Sequence, residues 1–148
     1  MRILIVDNVR SLHNIGAFFR TSEGLGVDKI FLCGKVAIPP RKEITKTALG
    51  AEELVDWEHF ESTLEGVQKA KELNCSILSL ELTKDSIDIK NYEVPENWAL
   101  VVGHELLGVD DEILKICDDI LEIPMKGEKI SLNVSVATGI ALYELCKD

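Results

Sequence analysis

The sequence predicts an α/β domain with a parallel-rich, twisted sheet and helices on both faces. Three observations carry this. Short apolar runs that read as strands alternate with longer amphipathic stretches that read as helices, the pattern of parallel strands joined by crossover helices. Asn97-Trp98-Ala99-Leu100-Val101-Val102 is near-continuously apolar and ends in Gly103, as expected of a central strand covered on both faces. At 148 residues and 46% hydrophobic, the chain has the length of one ordinary domain and enough apolar material to bury a core.

Taken in order, Arg2 to Val6 reads as a short buried strand. Ile15 to Leu25 follows as a helix, with Asn14 as its N-cap and Phe18, Phe19 and Leu25 near one face. Lys29 to Cys33 is a second apolar run closed by Gly34, and Ile38-Pro39-Pro40-Arg41-Lys42 is an exposed cationic loop leading into a helical Ile44 to Leu49. A short run from Leu54 to Trp57 precedes a helix over Glu61 to Leu73, with Leu64, Val67, Ala70 and Leu73 apolar at spacings of three. Cys75 to Leu82 reads as a buried strand, Val109 to Cys117 as a helix and Ile120 to Ile123 as a short strand. Leu132 to Leu145 is the last helix. Its Val134 and Val136 alternate like a strand, but Leu132, Val136, Ile140 and Tyr143 recur at helical spacing, and length favours the helix. No repeat, low-complexity tract or linker divides the chain, so residues 1–148 are expected to form a single domain with no extra module.

The net charge of −10 argues against a polyanionic partner, yet it is unevenly spread. Residues 1–50 hold eight Lys and Arg against four Asp and Glu, whereas the remainder holds eight against 22. A local cationic face on an acidic body can still bind an anion. Cys33, Cys75, Cys117 and Cys146 lack CxxC spacing and read as buried free thiols, with no metal site implied. No apolar run is long enough to span a bilayer, and the opening strand breaks at Asp7-Asn8, so a cytosolic protein is expected with no membrane partner.

Ligands of such sheets gather at the carboxyl ends of the strands. Three loops stand out there. Asn8 to Thr21 places a helix N-terminus beside Arg10 and Arg20, forked cations suited to phosphate, with Gly16 allowing close packing or a close approach. Gly103-His104-Glu105-Leu106-Leu107-Gly108 brackets an acid and a histidine between two glycines, a tight turn whose backbone a ligand can reach. Met125-Lys126-Gly127 forms a turn able to wrap a flat apolar ligand, and Ser131 and Asn133 stand where they cap the last helix or contact an anion. The GxGxxG and GxxxxGK[ST] fingerprints are absent. These residues alone define an α/β domain for a small anionic or nucleotide-like ligand.

In this order and spacing, "NIGAFFRTSEGLGVDKIFLCG", "ALVVGHELLGVDDEIL" and "LEIPMKGEKISLNVSVATGIALYEL" resemble the three motifs of the SpoU/TrmH class of the SPOUT superfamily, the knotted RNA 2′-O-ribose methyltransferases. The resemblance covers almost the whole chain. It implies a C-terminal deep trefoil knot, an exception to the rule against threaded chains. It implies S-adenosyl-L-methionine as cofactor, with Leu80, Gly103, Ile123, Met125 and Leu132 lining its pocket. It assigns Arg20 the catalytic position, with Asn14, Glu105, Ser131 and Asn133 in support. It further implies a homodimer through the knot region and an RNA substrate, tRNA before rRNA. The expected RNA-facing patch comprises Arg10, Arg41, Lys42 and Lys46, joined by Arg2, Lys126 and Lys129, with an RNA-binding partner protein as a further source of affinity. Two alternatives stand beside this reading: a non-catalytic nucleotide-binding module, and a knotted methyltransferase with another acceptor.

Overall fold

The computed structural model describes residues 1–104 and 108–148. Its sheet runs β3 (Asp56–Phe60), β2 (Lys29–Cys33), β1 (Arg2–Asp7), β6 (Trp98–Val102), β4 (Ser76–Leu80), β7 (Asp119–Glu122) and β5 (Ile87–Asp88), in that spatial order. Every pairing is parallel. The apolar run that predicted a central strand is indeed central: all five residues of β6 are buried between β1 and β4.

The period-2 alternation of strands splits the core into two layers. Leu4 and Val6 of β1, Ile30 and Leu32 of β2, and Trp98, Leu100 and Val102 of β6 share one cluster with Ile15, Phe18 and Phe19 of α1 (Leu12–Leu25), Ile44 of α2 (Lys42–Ala48) and Leu142 of α5 (Val134–Leu145). Ile3, Ile5, Phe31, Cys33, Ala99 and Val101 point the other way. They pack with Val67 and Ala70 of α3 (Thr63–Glu72) and Ile113 of α4 (Asp111–Ile116). Each fully buried large side chain of this kind contributes about 1.5–3 kcal/mol, so the alternation itself specifies the register.

Several sequence expectations shift. Helix α1 starts at Leu12 with Ser11 as its N-cap, because the Ser11 side chain accepts from the Asn14 N–H at 3.2 Å; Asn14 therefore lies buried inside the helix and is not its cap. The 54–57 run straddles an element boundary: Ala51–Glu53 forms a 3₁₀ turn before it, and its second half, Asp56 and Trp57, opens β3. As an edge strand, β3 is spared the apolar pattern that the central strands need. In α3, Val67 and Ala70 are buried but Leu64 faces solvent, since three steps of three residues rotate halfway round a 3.6-residue helix. The α5 ambiguity resolves as a helix opening at Val134, capped by Asn133 through the Ser135 N–H at 2.9 Å. The 75–82 run contracts to β4 at Ser76–Leu80.

Helices α1 and α2 approach closely. A Cβ on Gly16 would overlap Thr47 Oγ1 and meet the Ile44 carbonyl oxygen at 2.5 Å, so the glycine serves helix contact here. Thr47 Oγ1 also donates to the His13 carbonyl at 3.2 Å, which docks α2 on the first turn of α1.

Candidate functional site

The carboxyl ends of β4, β6 and β7 surround a cavity of about 530 Å³. Leu80, Glu81 and Leu82 come from the end of β4, and Val102, Gly103, His104 and Gly108 from β6 and its loop. Glu122, Ile123 and Met125 follow β7, and residues from Ile130 to Ala137 lead into α5. The size suits a nucleoside-bearing small molecule. Apolar residues such as Leu80, Ile123 and Met125 and polar ones such as Glu81, Ser131 and Asn133 share the lining.

Two glycines shape the β6 side. A Cβ on Gly103 would fall within the Gly108 carbonyl and the Val109 nitrogen, so the two limbs of the loop touch backbone to backbone. Gly108 sits at φ +70, in the left-handed region that favours glycine. The His104 N–H donates to the Gly108 carbonyl at 3.1 Å and the Gly108 N–H donates back to His104 at 2.9 Å, closing the loop at its base.

The structure brings Leu80, Gly103, Ile123, Met125 and Leu132 together in this one cavity, with Ser131 and Asn133 on its rim side. Asn133 is tied to α5, its Oδ1 accepting from the Ser135 N–H at 2.9 Å and the Ser135 hydroxyl at 2.7 Å. Glu105 lies outside the described residues. Arg20 and Asn14 do not line the cavity: Asn14 is buried in α1, and Arg20 is exposed on the same helix. The next residue, Thr21, lies against α5, its Cγ2 3.8 Å from where a Cβ on Gly139 would stand.

Arg10, Arg41, Lys42 and Lys46 are all exposed, Arg10 in the loop before α1 and the others on or beside α2. Because α2 docks on the first turn of α1, these cations occupy adjacent elements. Arg2 does not join them. It starts β1, at the end of the strands opposite the cavity, and its guanidinium lies 3.7 Å from the Asp148 carboxylate.

Sequence reasoning missed two carboxylates at this end of the sheet. Glu81 Oε2 accepts from the Val109 N–H at 2.9 Å. Asp7, only 2% exposed, accepts from Asn8 Nδ2 at 2.8 Å, from the Thr63 hydroxyl and from the Asp110 N–H at 3.2 Å. The available signal was an acid ending an apolar strand in each case, Ile5-Val6-Asp7 and Leu78-Ser79-Leu80-Glu81.

The cysteines are free, and burial is the largest cause raising each thiol pKa; Cys33 is pushed up to about 12 by burial, then by the charges of Asp7 and Glu65. Such thiols are poor nucleophiles and stay outside the chemistry. Burial and the Asp119 carboxylate, to which its hydroxyl donates at 2.8 Å, likewise raise Tyr92.

A parallel sheet with a nucleoside-sized cavity at its carboxyl edge is the architecture of a cofactor-binding α/β enzyme. The SpoU rRNA Methylase family matches residues 1–143, and the chain belongs to that family. It is 36% identical over 143 residues to the tRNA (guanosine(18)-2′-O)-methyltransferase of Aquifex aeolicus (strain VF5), covering 96% of this chain and 67% of that protein. The solved TrmH/SpoU tRNA modifying enzyme of A. aeolicus superposes with a TM-score of 0.85 at 34% identity, over 97% of this chain and 73% of that one. An AdoMet-bound rRNA methyltransferase from Sinorhizobium meliloti shares the fold, with a TM-score of 0.91 at 24% identity over 97% and 55% of the two chains. The chain spans 67% of the length of one curated relative it matches and 58% of another.

Proposed function

We propose that the protein is an S-adenosyl-L-methionine-dependent RNA 2′-O-ribose methyltransferase, with tRNA as its substrate, acting in the cytoplasm. The observation that carries this reading is the convergence of Leu80, Gly103, Ile123, Met125 and Leu132 on one cavity of about 530 Å³. Those residues come from three separate segments. Family membership and the name of the 36% identical relative support the same activity.

The cofactor supplies a methyl group on a sulfonium; its transfer to a ribose 2′-hydroxyl breaks the S–C bond, forms an O–C bond and releases the hydroxyl proton. The chain's part is to hold and align. Leu80, Ile123, Met125 and Leu132 cover the apolar surface of the adenosine, and backbone groups around Gly103 fix its edge. Arg20, exposed on α1 beside α5, grips an RNA phosphate and stabilises charge on the 2′-oxygen. A guanidinium stays protonated at neutral pH, so an electrostatic role fits it better than that of a base.

Two further parts belong to this proposal. The C-terminal segment from β7 through α5 threads the trefoil knot of the family. The protein pairs through α5: Val136 (52% exposed), Ile140 and Tyr143 (68% exposed) face solvent, whereas Thr138, Ala141, Leu142 and Leu145 point inward. The helix therefore has a second apolar face that its own chain does not cover, and a dimer would cover it.

The test is transfer of labelled methyl to small RNA by wild type and Arg20→Lys, with cofactor binding measured on both. Wild-type transfer mapped to a ribose, with a loss of about 10²–10³ in the variant and cofactor affinity within about threefold, is the expected result. Equal activity in both removes Arg20 from the chemistry. Cofactor binding without transfer points to a required RNA-binding partner or another acceptor, and absence of cofactor binding favours a plain nucleotide-binding module.

A further inference from the structure

The loop that leaves β6 emerges between its two sheet neighbours, β1, which ends in Asp7, and β4, which Glu81 follows directly. Those acids take successive peptide groups on the returning limb: the Val109 N–H donates to Glu81 Oε2 at 2.9 Å, and the Asp110 N–H donates to Asp7 Oδ2 at 3.2 Å. The residues so joined lie 28 and 103 positions apart. Asp7 is held in turn by Thr63, from the first turn of α3, and by Asn8, whose Oδ1 accepts from the Lys35 N–H at 2.8 Å. Glu81 faces the cavity, and its carboxylate occupies the space that a Cβ on Gly108 would need.

We propose that Glu81 and Asp7 form a two-sided carboxylate anchor that positions the Gly108–Asp110 limb beside Gly103 for the cofactor. The proposal rests on the reading of the cavity as the S-adenosylmethionine site. Hydrogen bonds to an ionised acceptor are roughly twice as strong as neutral ones, so two of them on adjacent peptides pin the limb that the His104–Gly108 bridge closes. Glu81 is the adjustable half, since it stands at the cavity wall, whereas Asp7 is buried on the other side of β6 and does not line the cavity. Both are positioning residues: the group each holds is the protein's own backbone.

The discriminating pair is Glu81→Ala and Glu81→Gln. Glutamine keeps a carbonyl able to accept from Val109 and removes only the charge. Two quantities are read: amide hydrogen exchange at Val109 and Gly108 in the cofactor-free protein, and the dissociation constant for S-adenosylmethionine by calorimetry. Loss of one bond to a charged acceptor corresponds to roughly tenfold or more, so Glu81→Ala is expected to speed exchange and weaken cofactor binding by at least that factor, with Glu81→Gln retaining most of both. Unchanged Val109 exchange in Glu81→Ala overturns the anchor. So does a Glu81→Gln variant as impaired as Glu81→Ala in cofactor affinity but normal in exchange, because the carboxylate then acts on the ligand by its charge. A wild-type protein that binds no S-adenosylmethionine defeats the functional reading separately, and the exchange measurement still decides the anchor.

Discussion

Gly103→Ala is the sharpest probe of the cavity. The added methyl would enter the space of the Gly108 carbonyl carbon and oxygen and the Val109 nitrogen, all backbone atoms with no rotamer to escape into. Restoring a normal carbon contact requires the two limbs to part by roughly 1 Å. That movement strains the bridge between His104 and Gly108, at 3.1 and 2.9 Å, and the Val109 bond to Glu81 at 2.9 Å. Losing two neutral bonds costs about 1–3 kcal/mol, in line with the usual cost of overpacking, also about 1–3 kcal/mol. In a chain of this length such a loss lowers Tm by roughly 2–10 °C. The larger effect falls on ligand affinity, because the displaced limb is a wall of the cavity. Two or three contacts of about 1 kcal/mol each amount to a weakening of roughly 30- to 150-fold. Calorimetric titration of S-adenosylmethionine beside thermal unfolding measures both. Gly127→Ala is the matched control, since an added Cβ there meets nothing within 4 Å. Affinity within about threefold of wild type in Gly103→Ala would refute the backbone contact on which the reasoning rests.

Three further expectations follow from the surface and the core. Reversing charge at Arg41 and Lys42, both exposed at the start of α2, should weaken RNA binding and flatten the log–log salt slope by about 1.5–2, with cofactor affinity unchanged; an unaltered slope removes the patch. Tyr143→Asp with Val136→Asp, at positions 68% and 52% exposed, should leave the fold intact and convert a dimer into a monomer by light scattering; a wild-type monomer defeats the pairing proposal. Cys33 bears on alkaline stability. Its folded pKa of about 12 lies above the ordinary thiol value of 9.0, so the unfolded chain loses this proton first and stability falls as pH rises from 9 towards 12. The ceiling is about 4 kcal/mol. Denaturant titrations at pH 7 and 10.5 should show a smaller decline in Cys33→Ala than in wild type, and parallel declines would exclude the effect.

The parts legible in sequence were those whose physics is local. Trp98–Val102 announced itself because a strand buried on both faces must be apolar throughout. The Asn133 cap was legible because its partner is two residues away. The cap of α1 was misread because Ser11 and Asn14 are both good capping residues, and only the three-dimensional start of the helix chooses between them. Strand β5, two residues long, carries no periodicity to detect. The stripe on α5 was visible at helical spacing, but periodicity reports a face without saying whether solvent or core lies beyond it. Glu81 and Asp7 were silent because their peptide partners are distant in the chain, and because an acid after a strand reads equally well as a solvated turn.

The charge distribution gains meaning from the same geometry. A net −10 chain is a poor general polyanion binder, and RNA is repelled from most of its surface. The cations of the first 50 residues are not evenly available: Arg2 lies beside Asp148 at the amino end of the strands, whereas Arg10 precedes α1 and Arg41, Lys42 and Lys46 stand on or beside the docked α2. These cations stand on the element docked against α1, which carries Arg20, and at physiological salt their attraction reaches only about 8 Å. Repulsion elsewhere then acts as orientation, because an RNA that approaches any other face gains nothing. For the proposed RNA substrate, with few phosphate contacts available, shape and the alignment of the ribose would then carry the specificity. The tight Gly16 contact between α1 and α2 is what keeps the patch and Arg20 on one rigid unit.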